Sequence, residues 1–253
     1  MGAQVSLLTG QTAVVTGGAQ GLGFAIAQRF IAEGARVVLG DVNLEATQAA
    51  AAQLGGDDVA RAVRCDVTSA EQVDALVAAA VDGFGGLDIM VNNAGGAMFM
   101  KPPEKLKPEE WDATIALNLS SVFFCSQAVS HGMIEKKSGK IINISSVAGI
   151  RMSPAFIQYG AAKAGVINLT KSLASCWGPY NINVNCIAPG LTATEGVAHW
   201  LPSKTDEDGN AVPSLQLPPE PEHVAQLAVF LASEASSNIS GELFPIRSLT
   251  ELA

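Results

Sequence analysis

Two side chains four residues apart, Tyr159 and Lys163, are spaced to move a proton. On a helix an i, i+4 pair lies on one face, one turn apart. A phenol with a pKa of about 10 is a poor base at neutral pH. A lysine ammonium one turn away favours the phenolate and lowers that value. The pair therefore suits protonation or deprotonation of an alcohol or carbonyl oxygen. Spacing alone is a weak signal, since any amphipathic helix can carry Tyr-x-x-x-Lys. Its weight comes from what the surrounding elements bring to it.

The first such element is a glycine turn. Residues 12–16 form a short apolar, β-branched run that reads as a buried parallel strand. It leads into Thr16-Gly17-Gly18-Ala19-Gln20-Gly21-Leu22-Gly23, and residues 24–33 then read as a helix ended by Gly34. Strand, glycine turn and helix form a phosphate-binding context. Gly17 permits the tight turn, Gly21 lets backbone N–H groups approach a pyrophosphate, and Gly23 lets the helix pack closely. A second strand, 36–39, ends at Gly40-Asp41. Asp41 lies 18 residues beyond Gly23. An acid there accepts hydrogen bonds from a ribose diol and repels a 2′-phosphate, which favours NAD over NADP. It could instead be an N-cap for the following helix.

The rest of the chain repeats the alternation. Helices read at 44–54, 69–84, 108–131, 154–173 and 222–231, and strands at 60–67, 87–91, 140–144 and 182–187. A further edge strand is expected at 241–246, where Pro245 suits an edge. Strands alternating with helices give a single α/β domain of Rossmann type, a doubly wound, mostly parallel sheet of about seven strands with helices on both faces. Asp66, at the end of the third strand, either meets an adenine or only ends the strand. Asn118 stands inside the long apolar helix 108–131, where an amide needs a buried partner or a task. The fifth strand delivers Ser145-Ser146 to the ligand-binding edge. Residues 191–221, rich in Pro, Gly, Thr and charge, read as a lid.

Composition narrows the function. The 253 residues carry a net charge of -9, which argues against nucleic acid as a partner. No apolar run reads as long enough to span a bilayer, and the start lacks a signal-peptide pattern. Cys65, Cys125, Cys176 and Cys186 show no metal-ligand spacing and read as reduced thiols of a cytoplasmic protein. His131, His199 and His223 are scattered, so no metal site is expected; only His199 falls in the lid. Met1-Gly2-Ala3-Gln4-Val5-Ser6 formally fits N-myristoylation, but no basic cluster follows, and a plain N-terminal arm is the simpler reading.

Five motifs in order, Thr16 to Gly23, Asn92-Asn93-Ala94-Gly95, Ser146 thirteen residues before Tyr159, Tyr159-x-x-x-Lys163 and Pro189-Gly190, make the chain resemble the classical short-chain dehydrogenase/reductase family over about residues 8–241. The resemblance implies Tyr159 as acid/base, Ser146 holding the substrate oxygen, Lys163 tuning the phenol and binding the nicotinamide ribose, and Asn118 holding a relay water. It implies cofactor contacts from Gly17, Gln20, Gly21, Leu22, Gly23, Asp41, Asp66, Val67, Asn93, Ala94, Gly95, Pro189, Gly190, Thr192 and Thr194. The substrate pocket is expected from Ala97, Met98, Phe99, Met152, Phe156, Leu191, Val197 and Trp200, which suit a hydrophobic secondary alcohol or ketone handled with NAD. A 3-oxoacyl-(acyl carrier protein) reductase and a non-catalytic nucleotide-binding protein are the alternatives. A homo-oligomer, dimer or tetramer, is expected by analogy. The C-terminal Gly241-Glu242-Leu243-Phe244 and the Thr205 to Asn210 segment depart from the family pattern.

Overall fold

The computed structural model describes residues 6–206 and 208–249, apart from the side chains of 198 and 199. Residues 1–5 of the N-terminal acylation motif, Glu207 of the 205–210 segment and the His199 side chain lie outside the described residues.

Apolar β-branched runs build seven strands: β1 (Thr12–Thr16), β2 (Arg36–Asp41), β3 (Ala60–Arg64), β4 (Ile89–Asn92), β5 (Gly139–Ile144), β6 (Ile182–Pro189) and β7 (Leu243–Ile246). They pair in parallel in the order β3-β2-β1-β4-β5-β6-β7. The crossovers carry α1 (Gly21–Ala32), α2 (Leu44–Gln53), α3 (Ala70–Phe84), α4 (Pro108–Ile115), α5 (Ser121–Lys136) and α6 (Ile157–Trp177), with α7 (Pro221–Ala232) before the edge strand β7. This is the doubly wound Rossmann-type sheet expected.

Both faces of the sheet are buried, so side-chain alternation sorts residues into two layers. Ala13 and Val15 pack with Ile26, Phe30, Ala228 and Val229 of α1 and α7. Val14 packs with Val73, Leu76, Cys125 and Met133 of α3 and α5. The chain winds outward from β1 to β3, then resumes on the other side at β4. That reversal opens a crevice beyond the carboxyl ends of β1 and β4, where such sheets bind ligands.

Several boundaries differ from expectation. β3 stops at Arg64, which leaves Cys65, Asp66 and Val67 in a loop. The helix expected at 108–131 is α4, a five-residue π turn (Ala116–Ser120) and α5, running on to Lys136. Within the π turn the Asn118 amide donates to the Thr114 carbonyl at 3.1 Å, so side chain and backbone compete for one helix acceptor. By length and composition alone this 29-residue stretch is apolar enough to cross a bilayer, contrary to the sequence reading. Here Cys125, Val129 and Met133 pack it onto the sheet.

Candidate active site

A cleft of about 1080 Å³ opens over the carboxyl ends of the central strands. At β1 its floor is the glycine turn, tied to the loop after β4. Thr16 Oγ1 accepts from the N–H groups of Asn93 and Ala94, both at 3.0 Å. Asn93 Nδ2 donates to the carbonyls of Thr16 and Gly17 at 2.9 and 3.1 Å. Gly17 and Gly21 take positive φ (63° and 56°). A Cβ at Gly23 would lie 2.1 Å from the Gly17 carbonyl oxygen and 2.6 Å from Asn93 Nδ2. The Asn93 amide nitrogen thus holds the turn, while the residue itself lines the cleft.

The turn delivers the N-terminus of α1. Gln20 precedes it in extended conformation without a side-chain cap, and no acid stands in the first turn. Uncapped N–H groups at the positive end of a helix suit an anion. Asp41 lines the cleft at the tip of β2. Its Oδ1 accepts from Asn43 N–H at 3.1 Å and Oδ2 from Ala19 N–H at 3.4 Å. The cap of α2 is Asn43, which accepts from Ala46 N–H at 3.1 Å. Asp66 and Val67 line the same end. Asp66 Oδ1 accepts from the Thr68 hydroxyl at 2.7 Å and its N–H at 2.9 Å, and these bonds hold the carboxyl below the usual range. The donor set fits a dinucleotide: helix N–H groups for a pyrophosphate and a carboxylate for a ribose diol.

Ser146, Tyr159 and Lys163 line the other end together. The two serines divide their work. Ser145 Oγ donates to the Lys163 carbonyl at 2.7 Å and braces α6 against β5. Ser146 Oγ accepts from Ala148 N–H at 3.2 Å and is bonded to the Tyr159 phenol. Lys163 Nζ donates to the Ile144 carbonyl at 2.9 Å and lies 5.6 Å from the Tyr159 ring centroid.

Protonation differs from expectation. Burial pushes the Tyr159 phenol up, and the Ser146 bond pulls it only part of the way back. Burial lowers Lys163 to about 8, with Cys186 acting the other way. The expected net depression of the phenol is absent because ionising a group shut away from water costs more than its neighbours return.

Asn118 stands behind the cleft and is fully buried. Its Oδ1 accepts from Gly96 N–H at 2.9 Å, and its Nδ2 donates to the Gly96 carbonyl at 3.1 Å. A Cβ at Gly95 would lie 2.7 Å from Asn118 Oδ1 and 3.2 Å from Lys163 Nζ. Gly95 is therefore all that separates amide from ammonium. Pro189, Gly190, Leu191, Thr192 and Thr194 form the far wall. Gly190 N–H donates to the Ile246 carbonyl at 2.8 Å, which ties that wall to β7. The Thr194 methyl would be 3.7 Å from a Cβ at Gly21, so this segment leans over the glycine turn.

Of the expected apolar lining, Ala97, Phe156, Leu191, Val197 and Trp200 face the cleft; Met98, Phe99 and Met152 do not. Phe99 adopts φ +54°, and Ala97 and Met100 take the cleft in its place. Met152 is 91% exposed. Gly149 packs against the α6 backbone at Lys163 and Ala164, and the chain then passes to the outer side of α6, where Ser153 meets Gly160. The sequence reading missed Met100, Ala148 and Ala155, small or flexible apolar residues on loops without periodicity. Among the described residues no group of three or more His, Cys, Asp or Glu is placed to hold a metal.

Comparison with known proteins agrees with this geometry. Residues 11–204 match the family model described as short chain dehydrogenase. The chain is 48% identical over 241 residues to an uncharacterized oxidoreductase of Mycobacterium bovis, covering 95% of this chain and 97% of the relative. It is 41% identical to a D-threitol dehydrogenase of Mycolicibacterium smegmatis (92% and 90% covered). It is also 41% identical to a 3-oxoacyl-[acyl-carrier-protein] reductase of Chlamydia trachomatis (95% and 97%). The solved structure of levodione reductase superposes with a TM-score of 0.87 at 33% identity, covering 97% of this chain and 99% of that one. Sequence, sheet order and cleft agree: the chain belongs to the short-chain dehydrogenase/reductase family, oxidoreductases that bind a nicotinamide cofactor.

Proposed function

We propose that the chain is an NAD-dependent dehydrogenase interconverting a hydrophobic secondary alcohol, alicyclic, aryl or terpenoid-like, with its ketone. The observation that carries this reading is one cleft with Asp41 at one end, Ser146, Tyr159 and Lys163 at the other, and apolar walls beyond them.

A bound nicotinamide cofactor supplies the hydride transfer. The uncapped N–H groups at Gly21 and Leu22, with Gly17 and Gln20, would hold its pyrophosphate. Asp41 would accept from the adenosine ribose diol, and its charge would repel a 2′-phosphate. Asp66 and Val67 would flank the adenine, Asn93, Ala94 and Gly95 the neighbouring ribose, and Pro189, Gly190, Thr192 and Thr194 the nicotinamide. Residues 191–221 are read as the lid over this single domain.

Ser146 Oγ would hold the substrate oxygen. Tyr159, kept protonated by burial at neutral pH, would give its proton to that oxygen in reduction and take one back in oxidation. The Lys163 ammonium would stabilise the phenolate left behind. Asn118 Oδ1, one lone pair engaged by Gly96, keeps the other for a water beside Lys163. The apolar substrate walls (Ala97, Met100, Ala155, Phe156, Leu191, Val197, Trp200) would exclude water and pack against a bulky substituent.

Two relatives favour other substrates. A polyol, as the threitol relative's name implies, would find few hydrogen-bond partners on these walls. An acyl carrier protein is acidic, and the net charge of -9 opposes its docking. The test is initial rates with NAD and NADP against cyclic and aryl secondary alcohols, glycerol, threitol and, in reverse, a 3-oxoacyl thioester. Fast NAD reduction with a bulky apolar alcohol supports the reading. Preference for a polyol, for the thioester with NADPH, or binding without turnover would replace it.

A further inference from the structure

Gln158 directly precedes Tyr159 on α6, and its side chain is completely buried. Its Nε2 donates to two consecutive main-chain carbonyls of the loop after β4, Met98 at 2.7 Å and Phe99 at 3.1 Å. Consecutive carbonyls of an extended chain point to opposite sides. They converge on one amide because Phe99 takes φ +54°, a conformation that bulky residues seldom adopt. Gln158 Oε1 is buried without a hydrogen-bond partner. Flipping the amide would set that oxygen against both carbonyls, so donation to the loop fixes its orientation.

The same loop is held at its start by Asn118 on Gly96 and at its end by the Lys101–Glu110 ion pair. Between these anchors, Ala97 and Met100 line the cleft while Met98 and Phe99 turn away. The middle anchor therefore decides which side chains face a substrate.

We propose that Gln158 is a positioning residue that sets the substrate wall of the cleft by clamping the Met98–Phe99 carbonyls to the helix carrying Tyr159. The substrate consequence rests on the secondary-alcohol reading above; the clamp itself does not. Gln158 itself does not line the cleft and acts through the loop.

The test uses the full chain with Gln158→Met and Gln158→Glu, both close in shape to glutamine. A glutamate buried against two carbonyls is held protonated and can donate to only one of them, so Gln158→Met, which has no donor, is the decisive variant and Gln158→Glu falls between it and wild type. Phe99→Pro breaks the same clamp from the loop side, since proline holds φ near −65°, and it changes a residue that is 38% exposed rather than the core. Hydrogen exchange followed by mass spectrometry should show amides 96–101 exchanging at least tenfold faster in Gln158→Met and Phe99→Pro, with amides 164–173 unchanged. With NAD, the ratio of kcat/KM for menthol to that for 2-propanol should shift at least tenfold, mainly through KM. NADH affinity should stay within about threefold. Unchanged loop exchange in Gln158→Met and Phe99→Pro would overturn the clamp. A uniform fall in kcat for both alcohols, with KM unmoved, would reduce Gln158 to a support for Tyr159. A wild-type protein that oxidises neither alcohol would count against the dehydrogenase reading, and loop exchange would still decide the clamp.

Discussion

Gly23→Ala adds one methyl group where the structure has no room for it. The new Cβ would stand 2.1 Å from the Gly17 carbonyl oxygen, 2.6 Å from Asn93 Nδ2 and 2.9 Å from the Gly17 carbonyl carbon. Reaching even a tight 3.0 Å contact requires α1 to retreat from the turn by about 1 Å. The obstacle is backbone braced by the Asn93 bonds to Thr16 and Gly17, so no flexible side chain can yield instead.

Two consequences follow with different sizes. Losing the two Asn93 bonds costs about 2 kcal/mol. Replacing glycine in a helix returns up to about 1 kcal/mol. The net loss of about 1–2 kcal/mol lowers Tm by about 2–8 °C for a chain of this length. Binding suffers more. The helix N–H groups that meet the pyrophosphate move by about 1 Å, and losing one or two charge-assisted bonds costs about 2–4 kcal/mol. That corresponds to a Kd for NADH weakened about 30- to 1000-fold. Fluorescence titration with NADH and a thermal melt separate the two effects. Gly132→Ala is the control: nothing lies within 4 Å of its Cβ position, on an exposed part of α5. It should gain up to about 1 kcal/mol without changing NADH affinity. A folded Gly23→Ala protein that binds NADH within threefold of wild type would refute the placement of the pyrophosphate over this turn.

Tyr159→Phe should lower turnover about 10²- to 10⁴-fold while NADH affinity stays within a few fold, and equal activity would sink the proton-transfer role. Asp41→Ala should narrow the preference for NAD over NADP in kcat/KM; a wild type that already prefers NADP would contradict the role given to Asp41. Lys163→Met should abolish activity yet stabilise the fold at pH 7. The folded ammonium titrates near 8 and the unfolded one near 10.5. Between those values the unfolded chain holds more protons, so wild-type stability rises with pH across that window, and below it the cost of the buried cation is constant. That cost is about 3 kcal/mol, offset by about 1 kcal/mol for the lost Ile144 bond. Urea unfolding should show the variant about 1–2 kcal/mol more stable at pH 7, with the advantage shrinking by pH 10. A variant destabilised equally at both pH values would refute the assignment.

The sheet was legible in the sequence because its signals are local. Thr12 to Thr16 is an apolar β-branched run, and Ile182 to Ile187 interleaves Ile, Val and Cys with two asparagines, enough for a strand buried on both faces. The glycine turn was legible because few residues tolerate the positive φ at Gly17 and Gly21. Loops carry no such periodicity. Phe99 looked like pocket lining because it is aromatic and follows the Asn92–Gly95 motif on the loop after the fourth strand. The clamp from Gln158, 59 residues away, turns it out of the cleft. Met152 failed for a related reason: the close packing of Gly149 on α6 sends the following residues around the helix.

The least legible feature was the proton chemistry, although its residues were the first to be recognised. A sequence places a lysine one turn from a tyrosine and so predicts a depressed phenol. It does not state how much water the fold removes from either group. Burial opposes both charged forms, raising Tyr159 and lowering Lys163, so two values that start close together move apart. Asn118 and Gly95 extend the argument: a fully buried amide on a π turn and a residue without a side chain leave polar atoms beside Lys163. The cleft thus keeps a cation that destabilises the fold where a phenolate must be stabilised, which is why Lys163→Met should trade activity for stability.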